Sequence, residues 1–501
     1  MKKINLLYGL VLLFIIASCT NEEVQFQEEM IDQSAMQQEP LSVAEVNDQI
    51  TKLIELNGSF NWKDANDLLL WSATVHGNNI LTVGYGEEKE SFRIEKSTKL
   101  SSIKEDIIKT VENTTANFTK SKQNVIISDD DILNFIDVKV TDLATVTELR
   151  KKENIRYLEP DGFVYTGNKI PTKSSKGCSQ SGESISSSDY GTTSTGAKVP
   201  WNYYTHNIDD AWAYSTGRGI GVGVIDTGVS SNQAYLGSRF DDSYSSRYIQ
   251  KYGTYVDSWW PWSTSTDGPN DKCGHGTSAC ATVGAPNYAS QFIGVAYECN
   301  LISYRGTEDV VLDGYHERNG VANALKALGN RSDVKIISMS IGYPWSIGKI
   351  EDAVKYAYSK GKLIFAAGGT STEFTNWYGV IFPASMNETV AVTGIEEGAG
   401  YDECDTCHTG SKIDFTVVME RGNNNHQPVI GFYTGEANYF GGSSVSTAFT
   451  AGTAALVWAK YPSWNRDQVL QRLKEASAFY PTKNSDFGYG NIDALKAVRG
   501  Y

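Results

Sequence analysis

The sequence lacks an excess of basic residues and, beyond its first residues, any long apolar run. Lys and Arg number 44 against 59 Asp and Glu, which gives a formal net charge of −15 over 501 residues. Nucleic-acid binding needs a basic surface, so no nucleic-acid partner is expected. Outside the N-terminus no stretch reaches the ~18 consecutive apolar residues of a membrane-spanning helix. Hydrophobic residues still make up 40% of the chain, enough for the cores of two or three domains.

The N-terminus carries an export signal. Two lysines precede an apolar run at residues 6–16, and the chain then reads IASC at 16–19. The small residues before Cys19 resemble the lipobox of bacterial lipoproteins. That resemblance implies a lipoprotein signal peptide at 1–18, lipid attachment at Cys19 and a lipid anchor in the bacterial cell envelope, at the outer membrane or the cell surface. An ordinary secretory signal with an incidental cysteine is the alternative.

Cysteine is scarce, and six of the seven cysteines remain after Cys19. An even number in an exported chain predicts disulfides, although the sequence does not choose among the ~15 pairings. Only the local pair Cys404–Cys407 stands out. It belongs to CDTCH, which also fits a haem-attachment pattern and offers three zinc ligands with His408. The polar surroundings and the missing fourth ligand favour a small disulfide loop, so no cofactor or metal is predicted.

The first half of the chain divides by composition. Residues 19–42 are acidic and polar, which indicates a tether. Residues 43–166 combine apolar positions at helical spacing with an alternating strand at 136–140, which predicts a small α+β unit. Residues 167–198 are rich in Ser, Gly and Thr, as expected of an exposed linker that is easily cut.

Residues 199–501 alternate strands and helices. Buried-strand runs occur at 220–226, 334–341 and 362–367. Continuous apolar strands alternating with helices predict an α/β fold, a doubly wound parallel sheet covered by helices on both faces. Ligands of such sheets bind beyond the carboxyl ends of the strands, where both Asp226 and Gly369 fall.

Three motifs place an aspartate, a histidine and a serine among glycines. Asp226 lies in VIDTGV, His275 in CGHGTSACATVGA, and Ser444 in GGSSVSTAFTAGTAALVWA at the start of a predicted helix. Singly, each has an ordinary explanation as a turn residue, a loop histidine or a helix cap. Jointly they match nucleophilic catalysis, because a serine needs a base and a histidine base needs a buried carboxylate to orient it. A helix N-terminus beside the serine also favours an oxyanion.

These motifs resemble those of subtilisin-like serine peptidases, the subtilases, from about residue 199 to the end of the chain. The resemblance implies a serine endopeptidase that acts on peptides or proteins through an Asp226–His275–Ser444 triad. SMSIG at 338–342 resembles the strand that pairs with substrate, and AAGG at 366–369 the far side of the specificity pocket. The substrate-binding residues implied are Ser340, Ile341, Gly342, Ala367 and Gly368.

The resemblance extends upstream. NIRYLEPDGFV, at 154–164, resembles the end of the family's inhibitory propeptide. This implies that residues 43–166 are a propeptide that binds its own peptidase domain, and that the linker at 167–198 holds the processing region. At 285–295, where many relatives bind calcium, only Asn287 keeps an oxygen ligand, so no calcium site is expected.

The chain departs from the family at Gly369, where subtilases usually carry an asparagine whose amide donates to the oxyanion. Loss of that amide in a subtilisin costs about 10²–10³ in turnover. The oxyanion hole would keep the backbone N–H of Ser444, which predicts a slow enzyme that Gly369→Asn accelerates. Two alternatives are a substitute donor at Thr370, Ser371 or Asn376, and a weak or inactive relative that only binds peptides or partners.

Overall fold

The computed structural model describes residues 39–89, 91–93, 95–115, 125–167, 177–242, 244–371, 379–398 and 400–500. The signal peptide, Cys19 and most of the tether lie outside the described residues, as does Asn376. Among the helices of the described ranges, none has the length and apolar character needed to cross a membrane.

The N-terminal unit, residues 39–167, is an antiparallel sheet packed against helices. Its sheet has the order β2-β3-β1-β4. The central strand β1 is buried along its whole length and pairs with β3 and β4 on either side. The elements are α1 (Val43–Asn57), α2 (Asp67–His76), β1 (Ile80–Tyr85), α3 (Thr98–Thr114), β2 (Ile126–Asp129), β3 (Phe135–Lys139), α4 (Leu143–Arg150) and β4 (Ile155–Pro160).

The C-terminal unit contains a seven-stranded sheet of order β13-β12-β11-β10-β7-β9-β8, in which every pairing is parallel. Its strands are β5 (Tyr190–Thr192), β6 (Lys198–Pro200), β7 (Gly221–Asp226), β8 (Ile249–Gly253), β9 (Asn300–Arg305), β10 (Val334–Met339), β11 (Leu363–Ala367), β12 (Val390–Glu396), β13 (Ile413–Glu420), β14 (Gln427–Ile430) and β15 (Ala437–Phe440). The helices are α5 (Trp201–Thr205), α6 (Ile208–Ala211), α7 (His275–Gly284), α8 (Tyr315–Asn330), α9 (Gly348–Ser359), α10 (Gly442–Lys460), α11 (Arg466–Glu475) and α12 (Ala494–Arg499).

Successive side chains along a strand of this sheet point to opposite faces and pack into different cores. Ile337 of β10 joins the core that contains α8 and α9, whereas its neighbour Ile336 joins the core that contains α7 and α10. Strands buried on both faces need helices on both faces. The predicted doubly wound parallel sheet is therefore confirmed.

The N-terminal unit packs on α8 and α9 through buried ion pairs. Lys349, at the start of α9, is fully buried and contacts the carboxylates of Asp137 and Asp161. Arg156 donates two hydrogen bonds of 2.6 Å to Asp352. Burial alone lowers the pKa of Lys349, but the two aspartates raise it above its ordinary value. Both partners of each pair are desolvated, so removing one would leave an uncompensated buried charge.

Within the predicted linker, residues 177–198 contain a disulfide and a short hairpin. Cys178 forms a disulfide with Cys273, a pairing that the sequence did not choose. The linker ends in the short hairpin of β5 and β6. Cys404 is bonded to Cys407, the pair that the sequence favoured, and Cys280 and Cys299 are buried free thiols.

Candidate active site

Asp226 and His275 form a buried hydrogen-bonded pair at the carboxyl edge of the sheet. Asp226 ends β7 and is fully buried. Its Oδ1 lies 2.7 Å from His275 Nδ1 and also accepts from the Thr227 N–H at 2.8 Å. A carboxylate at this position selects the tautomer with hydrogen on Nδ1, which leaves Nε2 free to accept a proton. The structure thus brings together two of the three predicted catalytic residues.

The surroundings make His275 a stronger base. Burial by itself lowers the pKa of His275, but the Asp226 charge, its hydrogen bond and the more distant Asp271 and Asp309 raise it above the ordinary histidine value. His275 is only 7% exposed. Its ring lies edge-on to the Phe440 ring, with 5.1 Å between the two ring centroids. A base whose pKa is set by a buried carboxylate suits proton transfer near neutral pH.

Asp271, which the sequence reasoning missed, holds the loop before His275. Its carboxylate accepts hydrogen bonds from the backbone N–H groups of Cys273, Gly274 and Thr277, and from the hydroxyls of Thr227 and Thr277. Five donors on one buried carboxylate fix both the strand end at Thr227 and the start of α7. In the sequence, the only sign of this role is that an aspartate stands four residues before His275.

Ser444 lies in the first turn of α10, on the wall of a cavity of about 230 Å³ that His275 also lines. Ser340 Oγ donates to the Ser444 carbonyl at 2.9 Å and so ties the end of β10 to this turn. Among the hydrogen bonds of the described residues, none joins the Ser444 hydroxyl to the imidazole directly. The N-terminal N–H groups of a helix lack intrahelical partners, and the helix dipole favours negative charge there.

The loop after β11 is built differently from the sequence expectation. Gly369 has φ +127°, and a Cβ placed on it would lie 2.3 Å from Nδ1 of His408. His408 N also donates to Gly369 O at 3.0 Å. A side chain at this position would collide with the His408 ring, so an asparagine amide could be placed here only if His408 moved. The effect of Gly369→Asn on turnover stays a prediction.

Thr370 is the first residue of this loop with a polar side chain on the cavity wall. Its Oγ1 accepts from the Ser443 N–H at 3.1 Å and lies 3.0 Å from Ser443 Oγ. Gly369 N donates to the same Ser443 hydroxyl at 3.2 Å, and Thr370 pairs with Cys407 in a β-bridge. Three contacts hold the Thr370 side chain and backbone beside Ser443, the neighbour of Ser444, so its hydroxyl is a preorganised group.

The predicted substrate-binding residues divide into two groups. Ser340, Ile341, Gly342 and Ala367 line the cavity. Gly368 is absent from its lining, because its N–H donates to Val392 O at 2.8 Å and a Cβ on it would lie 2.7 Å from Ile413.

The main-chain groups of Gly342 are also less available for pairing with a substrate than the resemblance implies. Its N–H donates to Val310 O at 2.9 Å, and its carbonyl accepts from Leu312 N at 3.0 Å. The segment at 310–312 therefore already fills the main-chain positions where substrate pairing was expected, and a substrate strand would have to contact Gly342 in another way.

The side chains that the sequence suggested as metal or haem ligands have other partners among the described residues. Within the described ranges, no three His, Cys, Asp or Glu side chains are grouped as metal ligands. The Cys404 and Cys407 thiols are joined to each other, and His408 Nδ1 lies 2.9 Å from Gly379 O. In the 285–295 stretch, the Asn287 side chain accepts from Thr195 Oγ1 at 2.6 Å.

Comparison with known proteins identifies the family to which the chain belongs. The model of the subtilase family matches residues 217–490, more than half of the chain. Subtilisin E of Bacillus subtilis is 28% identical over 287 residues, covering 57% of this chain and 67% of its own length. Subtilisin of Bacillus pumilus has the same identity over 287 residues and is covered over 92% of its length. The chain therefore belongs to the subtilase family, and its relatives support a subtilisin-like serine peptidase.

The crystal structure of fervidolysin from Fervidobacterium pennivorans shares the fold. It superimposes with a TM-score of 0.57 at 16% identity, covering 84% of this chain and 61% of that structure.

We predict that Asp226→Asn lowers the pKa of His275, because the carboxylate that opposes desolvation is lost. The imidazole is charged below its pKa. In Asp226→Asn the pH at which half of the His275 rings are protonated is therefore lower than in the wild type. NMR titration of the imidazole measures this midpoint, and Asp309→Asn, which removes a more distant charge, should shift it less. An unchanged midpoint in Asp226→Asn would show that the pair does not set the basicity of the ring.

Proposed function

We propose that the protein is a serine endopeptidase in which Asp226, His275 and Ser444 form the catalytic triad. The observation that carries this proposal is the buried Asp226–His275 hydrogen bond on the same cavity wall as Ser444 at a helix N-terminus. This arrangement provides a base, an orienting carboxylate, a nucleophile and N–H donors for an oxyanion.

The reaction follows from these positions. Ser444 Oγ attacks the carbonyl carbon of the scissile peptide bond while His275 Nε2 takes the hydroxyl proton. The imidazolium, stabilised by Asp226, then donates that proton to the leaving amine as the C–N bond breaks. The resulting acyl-enzyme ester is hydrolysed when His275 takes a proton from water and returns it to Ser444 Oγ.

The oxyanion is proposed to bind between the Ser444 N–H and the Thr370 hydroxyl. A glycine at 369 removes the usual amide, but Thr370 is held on the cavity wall by Ser443. A donor fixed before the reaction needs no reorganisation as charge develops on the carbonyl oxygen. This gives the substitute-donor alternative more support than the slow enzyme expected from Gly369.

We also propose that residues 43–166 are an inhibitory propeptide, that processing occurs within 167–198, and that lipid on Cys19 anchors the protein in the cell envelope. The buried contacts of Lys349 and Asp352 with the N-terminal unit support the first of these proposals. A tightly packed intramolecular partner beside a protease site is well suited to control when the enzyme becomes active.

Ser444→Ala should abolish peptide hydrolysis, with a loss of at least about 10³-fold, because the nucleophile is removed. It should also abolish reaction with a fluorophosphonate probe, which labels only an activated serine. Ser446→Ala is a matched control, since this serine lies on the same helix and donates to the helix backbone at Gly442. Wild-type cleavage rates in Ser444→Ala, or an unlabelled wild type, would contradict the proposed function.

Thr370→Val should lower turnover by about 10²-fold with little change in KM, as expected when one oxyanion donor is lost. The substitution keeps the branched shape, and Thr370→Ser should recover most of the rate because it restores a hydroxyl. Ser371→Ala, one residue further along the loop, is the control. If Thr370→Val matches the wild type in steady-state kinetics, the oxyanion is held without this hydroxyl.

The N-terminal unit, residues 39–167, should inhibit the processed peptidase when added separately. Asp352→Asn in the peptidase should weaken this inhibition at least about tenfold, or 1.4 kcal/mol, because Arg156 loses its buried partner. Glu351→Gln, whose residue pairs with Lys355 within α9, is the control and should leave the inhibition constant unchanged. No inhibition of any of the three enzymes would reject the propeptide proposal.

A further inference from the structure

A short segment of the predicted linker crosses the rim of the active-site cavity. We call residues 177–183 the strap. Its Cys178 is joined by a disulfide to Cys273, two residues before His275 and 95 residues away in sequence. Gly177 and Ser179 of the strap line the same cavity as His275 and Ser444. The strap therefore forms part of the catalytic cavity itself.

The strap touches the loop that carries His275. A Cβ built on Gly274 would lie 2.2 Å from the Ser179 carbonyl oxygen, so the two backbones are in direct contact. At its first residue, a Cβ on Gly177 would lie 2.9 Å from Val310, which also lines the cavity. A backbone packed this closely on both sides leaves no room for a substrate chain between the strap and Gly274.

The other end of the strap is fixed to the outer edge of β15. Glu183 N donates to Ala437 O at 2.7 Å, and Glu183 Oε2 accepts from Tyr439 N at 2.7 Å. The opposite edge of β15 pairs with β14. Residues 438–440 line the cavity, so the strap occupies the free edge of one of its walls. An extended peptide therefore cannot add to β15 by main-chain pairing.

The chemistry of the triad tells which part of a substrate meets the strap. The histidine donates its proton to the leaving amine, so the residues after the scissile bond pass beside His275. The strap contacts Gly274, the residue immediately before His275. This contact, together with the closed edge of β15, favours the leaving-group side of the scissile bond as the position of the strap.

We propose that the strap is a specificity-determining wall that favours substrates with short leaving groups. This inference rests on the proposed peptidase function, with processing ahead of residue 177 so that the strap stays in the processed enzyme. The preferred substrates are peptides cut close to their carboxyl end, because a long chain after the scissile bond runs against the strap. The Cys178–Cys273 disulfide and Glu183 hold this wall in place from its two ends.

The test uses the processed enzyme and a peptide series that shares one sequence before the scissile bond and carries one to six residues after it. The wild type should lose at least about tenfold in kcat/KM between the shortest and the longest leaving groups. Cys178→Ser and, separately, Glu183→Ala should flatten this decline to threefold or less, because each variant releases one end of the wall. Glu475→Ala, a surface carboxylate away from the strap, is the matched control.

The outcomes separate the two proposals. A wild type that cleaves all leaving groups equally overturns the strap inference alone. Equal loss on every substrate in both strap variants also overturns it, since the segment would then only position His275. Glu183→Ala keeps the disulfide and so still tests the inference where Cys178→Ser fails to fold. A wild type that neither reacts with a fluorophosphonate nor cleaves any peptide overturns the proposed function and this inference with it.

Discussion

Asp226 is a fully buried carboxylate, and a buried charge without partners costs several kcal/mol in a domain of ordinary stability. Its hydrogen bonds to the His275 ring and the Thr227 N–H offset that cost. Both partners are available only because the end of β7 meets the start of α7 at the carboxyl edge of the sheet. The position of the histidine is therefore a requirement of the fold as well as of the chemistry.

Asp271 extends this requirement to the neighbouring loop. Its contact with Thr227 Oγ1 leaves that hydroxyl oxygen to accept from the Gly276 N–H, so a single chain of hydrogen bonds runs from β7 to the first turn of α7. The Thr227 hydroxyl and both oxygens of the Asp271 carboxylate are buried and hydrogen-bonded, and a satisfied buried network specifies one arrangement. The VIDTGV and GHGT motifs thus encode a scaffold around Asp226 and His275.

The sequence was sufficient for the features that arise from local pattern. Apolar runs such as VKIISMSI predicted the parallel strands, and the glycine-flanked Asp226, His275 and Ser444 predicted residues that the structure places at one edge. It was insufficient where distant segments meet. The imidazole of His408 excludes a side chain at Gly369, and the segment at 310–312 occupies the main-chain groups of Gly342. Neither contact leaves a periodic signal, because each joins residues about 30 or more positions apart.

The two disulfides of the described residues hold loops whose neighbouring residues line the active-site cavity. Cys178–Cys273 fixes the strap beside His275, while the Cys404–Cys407 loop supplies the backbone partners of Gly369 and Thr370. Loops carry the chemistry in such folds because the sheet itself is rigid, and loops have few buried contacts to hold them. Covalent bridges compensate for this weakness, because they limit how far the bridged loop segments can separate. The precision of the site therefore depends on these two bridges as well as on the sheet.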